Sequence, residues 1–186
     1  MRVIAGEARG RRLEALPGTD VTRPTLSQVK EAMFSIVQFD LPGARVLDLY
    51  AGSGQLGIEA LGRGAARCVF LDENREAVNI VMKNCKNCGV FDRSRVNIGE
   101  AARFLSACRE QFDLVLLDPP YQAELLEAAI AHIARHDLLT PHGMMAAEHP
   151  ADKTLPALSA PYRMGRTYRY GKIAVTIYHR DGEAEA

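Results

Sequence analysis

Short apolar runs alternate with amphipathic stretches along most of this chain of 186 residues. We predict buried strands where nearly every position is apolar, at 44–50, 68–72, 112–118 and 144–148. A weaker strand is predicted at 95–98. Helical spacing of apolar positions predicts helices over 24–37, 55–63, 75–88, 101–109 and 124–139. Strands that are apolar on both faces need cover on both faces. The alternation therefore predicts an α/β fold with a mostly parallel sheet between two layers of helices.

Both ends of the chain depart from this alternation. Residues 1–23 are rich in Gly and Arg with only short apolar runs, which predicts a basic N-terminal arm or hairpin outside the core. Thr25 can then cap the first helix, with Gln28 three residues on as its reciprocal partner. Residues 162–170 and 172–179 are predicted to be two strands of a C-terminal antiparallel hairpin. We therefore expect one domain, residues 24–186, preceded by the arm.

The composition fits a globular protein of ordinary size. Apolar residues make up 47% and charged residues 25% of the chain, which excludes disordered and fibrous classes. No stretch of 18 apolar residues is present, so we expect no membrane span, and the first residues lack the apolar segment of a secretory signal. Four cysteines are too few for a disulfide framework, and the Cys85–Cys88 pair has no second pair at zinc spacing. We expect a cytoplasmic monomer without a metal.

Charge is balanced over the whole chain but not along it. The formal net charge is zero, whereas residues 160–180 hold five cations and no acid. The first 25 residues hold five arginines against three acids. The predicted contacts to an RNA backbone are therefore at both ends: Arg9, Arg11, Arg12, Arg23, Arg166, Arg169 and Lys172. A solvated hairpin or ordinary strand alternation would give the same pattern.

A glycine-rich turn follows the first predicted strand. After Asp48 the chain reads LYAGSGQLG, so that Gly52, Ser53 and Gly54 lie where this strand ends and the next helix begins. Glycines there let the backbone approach a ligand closely, and the helix N-terminus adds exposed N–H groups. Asp72 closes the second strand, where a carboxylate accepts hydrogen bonds from ribose hydroxyls. The sequence predicts a site for a nucleoside cofactor.

Two cofactor classes fit this turn. A dinucleotide would place its pyrophosphate on the loop, and an acid at Asp48 would repel it. S-adenosylmethionine carries no phosphate, and its ammonium would pair with such an acid, which favours this cofactor. A third interpretation is that Asp48 only accepts hydrogen bonds from the loop backbone.

The fourth predicted strand ends in Asp118, Pro119, Pro120 and Tyr121. The prolines remove backbone donors, so the turn presents acceptors: the Asp118 carboxylate and the Pro119 carbonyl. The group that fits them is an amine on a planar ring, which Tyr121 can stack against. A plain Pro-Pro turn with a half-exposed tyrosine is the alternative. Glu148, at the end of the fifth strand, could be structural or could line the site.

These motifs resemble a known family. The chain resembles class I S-adenosylmethionine-dependent methyltransferases that modify exocyclic amines. The signature motif of these enzymes takes the form DPPY in this chain. More narrowly it resembles the RsmD family, which methylates guanine N2 in ribosomal RNA of the bacterial small subunit. GxxRGRRL at 6–13, RPT at 23–25, LDLYAGSGQLGIEAL at 47–61 and LDPPY at 117–121 fall in that family's order.

The resemblance implies a Rossmann-like class I methyltransferase with a seven-stranded sheet, and it implies roles for individual residues. Asp48 and the loop at 52–54 would hold the methionine part of S-adenosylmethionine, Asp72 the ribose, and Glu100 with the Ala101 amide the adenine. The residues of the DPPY turn would hold the target base. The implied partner is 16S ribosomal RNA or the small subunit. An amino-methyltransferase acting on DNA or protein glutamine, a non-catalytic RNA-binding assembly factor, and a nicotinamide oxidoreductase remain as alternatives.

Overall fold

The computed structural model describes residues 1–17, 24–120 and 123–182. The helices are α1 (Pro24–Val37), α2 (Gln55–Gly62), α3 (Arg75–Asn87), α4 (Ala101–Ala107) and α5 (Ala123–Arg135), with a 3-10 turn at Phe91–Arg93. The strands are β1 (Arg45–Asp48), β2 (Arg67–Asp72), β3 (Ser94–Ile98), β4 (Phe112–Leu117), β5 (Leu139–Pro150), β6 (Tyr162–Tyr170) and β7 (Ile173–Arg180).

All seven strands form one sheet in the order β3-β2-β1-β4-β5-β7-β6. The pairs from β3 to β5 are parallel, whereas β7 runs antiparallel to both β5 and β6. The order reverses between β1 and β4, because the chain builds outward from β1 to β3 and then returns to the other side. The predicted mostly parallel sheet with a C-terminal antiparallel hairpin is confirmed.

Two apolar layers cover the sheet. Val46, Leu116 and Ala146 face the helices α1, α2 and α3, and we call this layer the α1-side core. The alternate residues of the same strands, such as Leu47 and Leu117, pack against α4 and α5 and form the α5-side core. Side chains of successive strand residues point to opposite faces, so each central strand is apolar throughout.

The predicted helix over 124–139 is too long. α5 ends at Arg135, and Asp137 takes a left-handed conformation with φ 49°. Leu138 N donates to Ile133 O and Asp137 N to Ala134 O, which is the hydrogen-bond pattern of a Schellman helix end. Leu139 then pairs with Phe112 as the first residue of β5. Asp tolerates this backbone better than most residues, but apolar spacing alone does not reveal it.

The expectation that residues 1–23 stay outside the core is wrong for the described residues 1–17. Val3 N donates to Arg11 O and Gly10 N to Val3 O, so residues 1–13 form what we call the N-terminal hairpin. Its residues Val3, Ala8 and Leu13 are buried in the α1-side core. Apolar residues this sparse gain their burial from long-range contacts with α2 and α3, which local periodicity does not reveal. The domain boundary at residue 23 and the side chain of the predicted Thr25 cap lie outside the described part.

Candidate functional site

A cavity of about 970 Å³ opens at the carboxyl ends of β1, β2 and β4. It lies at the reversal of strand order, where ligands bind in open parallel sheets. Eight of the predicted site residues line it: Asp48, Gly52, Ser53, Asp72, Glu100, Ala101, Asp118 and Pro120. Gly54 and Pro119 are adjacent in sequence to lining residues, and Tyr121 is outside the described residues.

The glycine turn has the geometry that its sequence predicts. Gly52 and Gly54 have φ values of 54° and 77°. Residues other than glycine rarely adopt this left-handed backbone conformation. A Cβ atom at Gly57 would lie 2.2 Å from Cε1 of Phe70, so this glycine lets α2 pack closely on β2. The turn therefore brings the backbone of residues 51–53 to the cavity wall.

Asp48 forms the floor of the cavity beneath this turn. Its side chain is 2% exposed, and its Oδ2 accepts a hydrogen bond of 2.9 Å from Gly57 N. Burial raises the pKa of Asp48 to about 7, and the nearby negative charges of Asp118 and Asp72 raise it further against the lowering effect of the Gly57 bond. No cation pairs with this carboxylate among the described residues. A ligand with an ammonium group supplies what the site lacks.

Asp72 and the residues after β3 form the next part of the wall. Oδ2 of Asp72 accepts from Gly52 N at 2.8 Å, and Oδ1 accepts from Asn74 N at 2.9 Å. Each carboxylate oxygen keeps a second lone pair for a ligand hydroxyl. Glu100 precedes the first turn of α4 and is exposed, with Ala101 beside it in the cavity lining. Asp72 and Glu100 therefore offer acceptors along this part of the wall.

These residues fit S-adenosylmethionine better than a dinucleotide. The carboxylates of Asp48, Asp72 and Glu100 all line the cavity and offer acceptors to a ligand with an ammonium, hydroxyl and amine groups. A pyrophosphate would instead face these negative charges in a partly buried site, which is unfavourable.

Asp118 follows β4 at the opposite end of the cavity from Glu100. Burial raises its pKa, and the described residues give it no hydrogen-bond donor and no cation. Pro119 and Pro120 follow it without backbone donors of their own, as the sequence predicts. The described part of the DPPY turn thus presents at the cavity an acid with which no described residue pairs.

Sequence reasoning missed the contribution of the N-terminal segment to this cavity. Six further lining residues come from residues 1–30: Met1, Arg2, Ala15, Leu16, Ser27 and Lys30. The missed residue that holds this segment is Glu59 on α2, which is fully buried. Its oxygens accept from Ile4 N at 2.8 Å and from Ala5 N at 2.9 Å. Nζ of Lys30 and Nε of Arg63 lie 3.3 and 3.0 Å from the same carboxylate.

Asn84 on α3 is the second missed residue. It is fully buried, and its Nδ2 donates to Glu14 O and to Ser53 O, each at 2.9 Å. Its Oδ1 accepts from Glu14 N at 2.9 Å. One side chain thus joins the chain after the N-terminal hairpin to the glycine turn. A lone polar residue within the apolar stripe of a helix, as at Glu59 and Asn84, is the sequence signal that could have indicated both.

The predicted RNA-contact residues lie on two exposed surfaces. Arg9, Arg11 and Arg12 are exposed on the N-terminal hairpin, and Arg166, Arg169 and Lys172 are exposed on β6 and the turn to β7. Arg166 stacks on Tyr168 at 5.0 Å, and Arg169 donates to Ala151 O. Arg23 lies outside the described residues.

Acids distant in sequence reduce the positive charge near the C-terminus. Arg163 pairs with Asp181 at 2.9 Å, and Arg180 pairs with Asp137 at 2.7 Å. The run of cations in the sequence therefore overstates the charge of this surface in the fold.

Two classes of site are absent from the described residues. No described helix is long and apolar enough to cross a membrane. No group of three or more His, Cys, Asp or Glu in residues 1–17, 24–120 and 123–182 is placed to hold a metal ion.

Comparison with known proteins gives matches over nearly the whole chain. A family model described as "Conserved hypothetical protein 95" matches residues 1–179. The Bacillus subtilis (strain 168) protein named "Putative rRNA methyltransferase YlbH" is 39% identical over 185 residues, which are 98% of this chain and 100% of that protein. Ribosomal RNA small subunit methyltransferase D of Escherichia coli (strain K12) is 30% identical over 186 residues, 100% of this chain and 93% of that protein.

A solved structure agrees with these relatives. The structure titled "Putative methyltransferase yhhF from Escherichia coli" superimposes with a TM-score of 0.85 at 31% identity, covering 98% of this chain and 99% of that one. The resemblance inferred from the motifs at 6–13 and 117–121 is thereby confirmed over the full fold. The chain belongs to the RsmD family of methyltransferases, which the family model describes as Conserved hypothetical protein 95.

Proposed function

We propose that this protein transfers a methyl group from S-adenosylmethionine to the exocyclic N2 of one guanosine in 16S ribosomal RNA of the small subunit, in the cytoplasm. The observation that carries the proposal is the cavity at the strand-order reversal, with cofactor-type acids at one end and Asp118 at the other. The name of the Escherichia coli relative, a small-subunit ribosomal RNA methyltransferase, supports the substrate class.

The cofactor side of the cavity positions the methyl donor. Bound S-adenosylmethionine would supply an activated methyl group on a sulfonium. The Asp48 carboxylate would hold its ammonium, Asp72 would accept from the ribose hydroxyls, and Glu100 with the Ala101 amide would hold the adenine. The glycine turn would contact the methionine part through its backbone. Holding both reactants in line is the main contribution that such a site makes to the rate.

The DPPY turn acts on the acceptor. The lone pair of guanine N2 is delocalised into the ring, so the amine is a poor nucleophile. The Asp118 carboxylate and the Pro119 carbonyl would accept its two N–H bonds and favour a more tetrahedral nitrogen. As the N–C bond forms, N2 loses one proton, and Asp118 is the nearest base. Burial raises the pKa of Asp118, which makes it a better proton acceptor.

The basic surfaces would hold the RNA around the target base. Arg9, Arg11 and Arg12 on the N-terminal hairpin, and Arg166 and Lys172 near the C-terminal hairpin, are exposed. Phosphate contacts fix the position of an RNA without reading its sequence. A base must leave its stack to enter the cavity, which costs a few kcal/mol unless it lies in a loop.

The test is methyl transfer to small ribosomal subunits that lack the modification, followed by nucleoside analysis. We expect labelled N2-methylguanosine with the native protein and a loss of about 10²-fold or more in Asp118→Ala, with affinity for S-adenosylhomocysteine retained. Asp152→Asn, an exposed carboxylate away from the cavity lining, is the matched control and should transfer normally. Label on DNA, on protein or as N6-methyladenosine would overturn the substrate, and full activity in Asp118→Ala would overturn the mechanism.

A further inference from the structure

A second carboxylate lies beside Asp118. β4 and β5 are parallel, and their register pairs Leu116 with Ala146 and Leu117 with Ala147. The next position along β4 is Asp118, and the next along β5 is Glu148, so the two acids follow side by side at the same edge of the sheet. Leu116 and Ala146 both face the α1-side core, and two residues further on the side chains return to that face.

Neither acid has a partner in the described part of the chain. No hydrogen bond or ion pair within residues 1–17, 24–120 and 123–182 involves the carboxylate of Asp118 or of Glu148. Glu148 is partly buried, and its neighbour across the sheet on β7 is the apolar Val175. Burial, followed by the negative charge of Asp118, raises the pKa of Glu148 to about 8, so the free protein keeps Glu148 protonated near neutral pH and a ligand that donates to it must displace this proton. Two partly buried carboxylates that accept no hydrogen bond from a described residue are stabilised in their ionised forms by a ligand that brings N–H groups to both.

The strand order separates this pair from the cofactor site. Asp48, Asp72 and the residues after β3 lie over one half of the sheet, and Asp118 begins the other half. Glu148 lies one strand further from the glycine turn than Asp118 does. An acceptor base gripped at Asp118 would therefore extend over β5 and towards Glu148.

The donor pattern of this ligand is specific. An ionised carboxylate only accepts hydrogen bonds, so two adjacent carboxylates require two adjacent donors. The Watson–Crick edge of guanine carries the N1–H beside the N2 amine. Adenine and cytosine place a ring acceptor beside their amines, and that acceptor would face the Glu148 carboxylate with repulsion. Uracil has no amine. Reading of an extruded base along this edge is the usual mode in enzymes of this kind.

We propose that Glu148 is the residue that selects guanine, by accepting the N1–H of the base while Asp118 accepts from its N2 amine. The inference rests on the proposed function and adds to it the group that distinguishes guanine from the other amino bases. A protonated Glu148 would instead match the ring acceptor of adenine, so the charge of this carboxylate sets the preference.

The test replaces the methylated guanosine by 2-aminopurine in a reconstituted small subunit. This base keeps the N2 amine but has an acceptor at N1. We expect the native protein to prefer guanosine by about tenfold to a hundredfold in kcat/KM. Glu148→Gln offers an amide N–H to the N1 acceptor of 2-aminopurine. The preference for guanosine over 2-aminopurine should therefore fall by about tenfold or more. Affinity for S-adenosylhomocysteine should stay unchanged. Glu31→Gln, exposed on α1, is the matched control.

A purely structural role of Glu148 would lower the rates on both bases together. Equal use of guanosine and 2-aminopurine by the native protein, or an unchanged preference in Glu148→Gln, would overturn the inference while the proposed function stands. No transfer to guanosine by the native protein would overturn the proposed function itself. If the amide variant does not bind S-adenosylhomocysteine, Glu148→Asp is the second variant. It keeps the carboxylate but places it further from the base, because the side chain is shorter. It should lower kcat/KM on guanosine without lowering kcat/KM on 2-aminopurine.

Discussion

Asp48 shows how one buried side chain can serve both the fold and a ligand. Its Oδ2 holds Gly57 N and thus the first turn of α2, which accounts for its presence without any cofactor. Its pKa near 7 shows that burial and the acids Asp72 and Asp118 make the ionised form unfavourable in the protein alone. A ligand ammonium would reverse this imbalance, so the backbone bond and the cofactor role are compatible.

This pKa makes cofactor affinity depend on pH. Below about pH 7 the free protein holds Asp48 protonated, so the affinity for S-adenosylhomocysteine should fall by up to about tenfold per pH unit on acidification and level off above about pH 7. Titration calorimetry from about pH 5.5 to about pH 8.5 measures this dependence. Asp48→Asn should bind more weakly with a flatter profile. An equally steep profile in that variant would contradict the role of Asp48.

The raised pKa of Asp48 affects the stability of the fold in the opposite direction from cofactor affinity. Asp48 has a pKa raised above its unfolded value of 3.8. Between about pH 4 and about pH 7 the unfolded chain releases this proton while the folded chain keeps it. The contribution of Asp48 to the free energy of unfolding therefore falls as the pH rises through that window, and it is constant above it.

At the scale of elements, Glu59 fixes the N-terminal hairpin to α2 and α1. Its carboxylate is 0% exposed and satisfies Ile4 N, Ala5 N, Lys30 and Arg63 together. Lys30 is itself only 5% exposed, and burial lowers its pKa even though Glu59 opposes this. A buried cation of this kind depends on its acid. The hairpin is thus held by a charge network in addition to its three buried apolar residues.

Replacing Glu59 alone should therefore lower the free energy of unfolding more than replacing Glu59 and Lys30 together. Glu59→Gln leaves Lys30 buried without a counter-charge and should lower the free energy of unfolding by about 3–5 kcal/mol, as measured by urea denaturation. The double variant Glu59→Gln with Lys30→Met should lose less than the single variant, because the buried lysine charge is removed together with its acid. Additive losses in this cycle would show that the two residues act independently.

At the scale of the molecule, the exposed cations form two surfaces on a chain of zero net charge. Arg163 on β6 is paired with Asp181, whereas Arg166 stacks on Tyr168 and forms no ion pair with an acid of residues 1–17, 24–120 or 123–182. A paired cation has little charge left for a phosphate. The fold therefore distinguishes cations that the sequence pattern treats as equivalent.

The salt dependence of RNA binding tests this distinction. Arg166→Ala with Lys172→Ala should weaken binding to small-subunit RNA and reduce the slope of log affinity against log salt by about 1 for each phosphate that the variant no longer neutralises. Arg163→Ala is the matched control on the same strand, and it should change the slope less. An equal change in both proteins, measured between about 50 and about 200 mM salt, would contradict the assignment.

Much of the fold could be predicted from the sequence because its signals are local. Apolar strands, the glycine turn and the DPPY segment each lie within about ten residues, and their order along the chain implies a parallel sheet. The end of α5 at Arg135 and the start of β5 at Leu139 could not be predicted, because the left-handed Asp137 and a pairing with Phe112 decide them.

The candidate site could be predicted from the sequence to a similar extent. Acids at strand ends converge in any parallel sheet, so Asp48, Asp72 and Asp118 could be expected to meet. The packing of the N-terminal hairpin into the α1-side core and the adjacency of Glu148 to Asp118 depend on long-range contacts and on strand register, which no local pattern contains.

The hydrogen bonds of Asn84 have a thermodynamic consequence. This side chain holds Glu14, just after the N-terminal hairpin, and Ser53 in the glycine turn at the same time. A cofactor that orders the turn would therefore also order the hairpin on which three of the candidate RNA-contact arginines lie. By reciprocity, the factor by which the cofactor tightens RNA binding must equal the factor by which RNA tightens cofactor binding. The order in which the two substrates bind would then be set by their concentrations, and the ternary complex would be more stable than independent sites could make it.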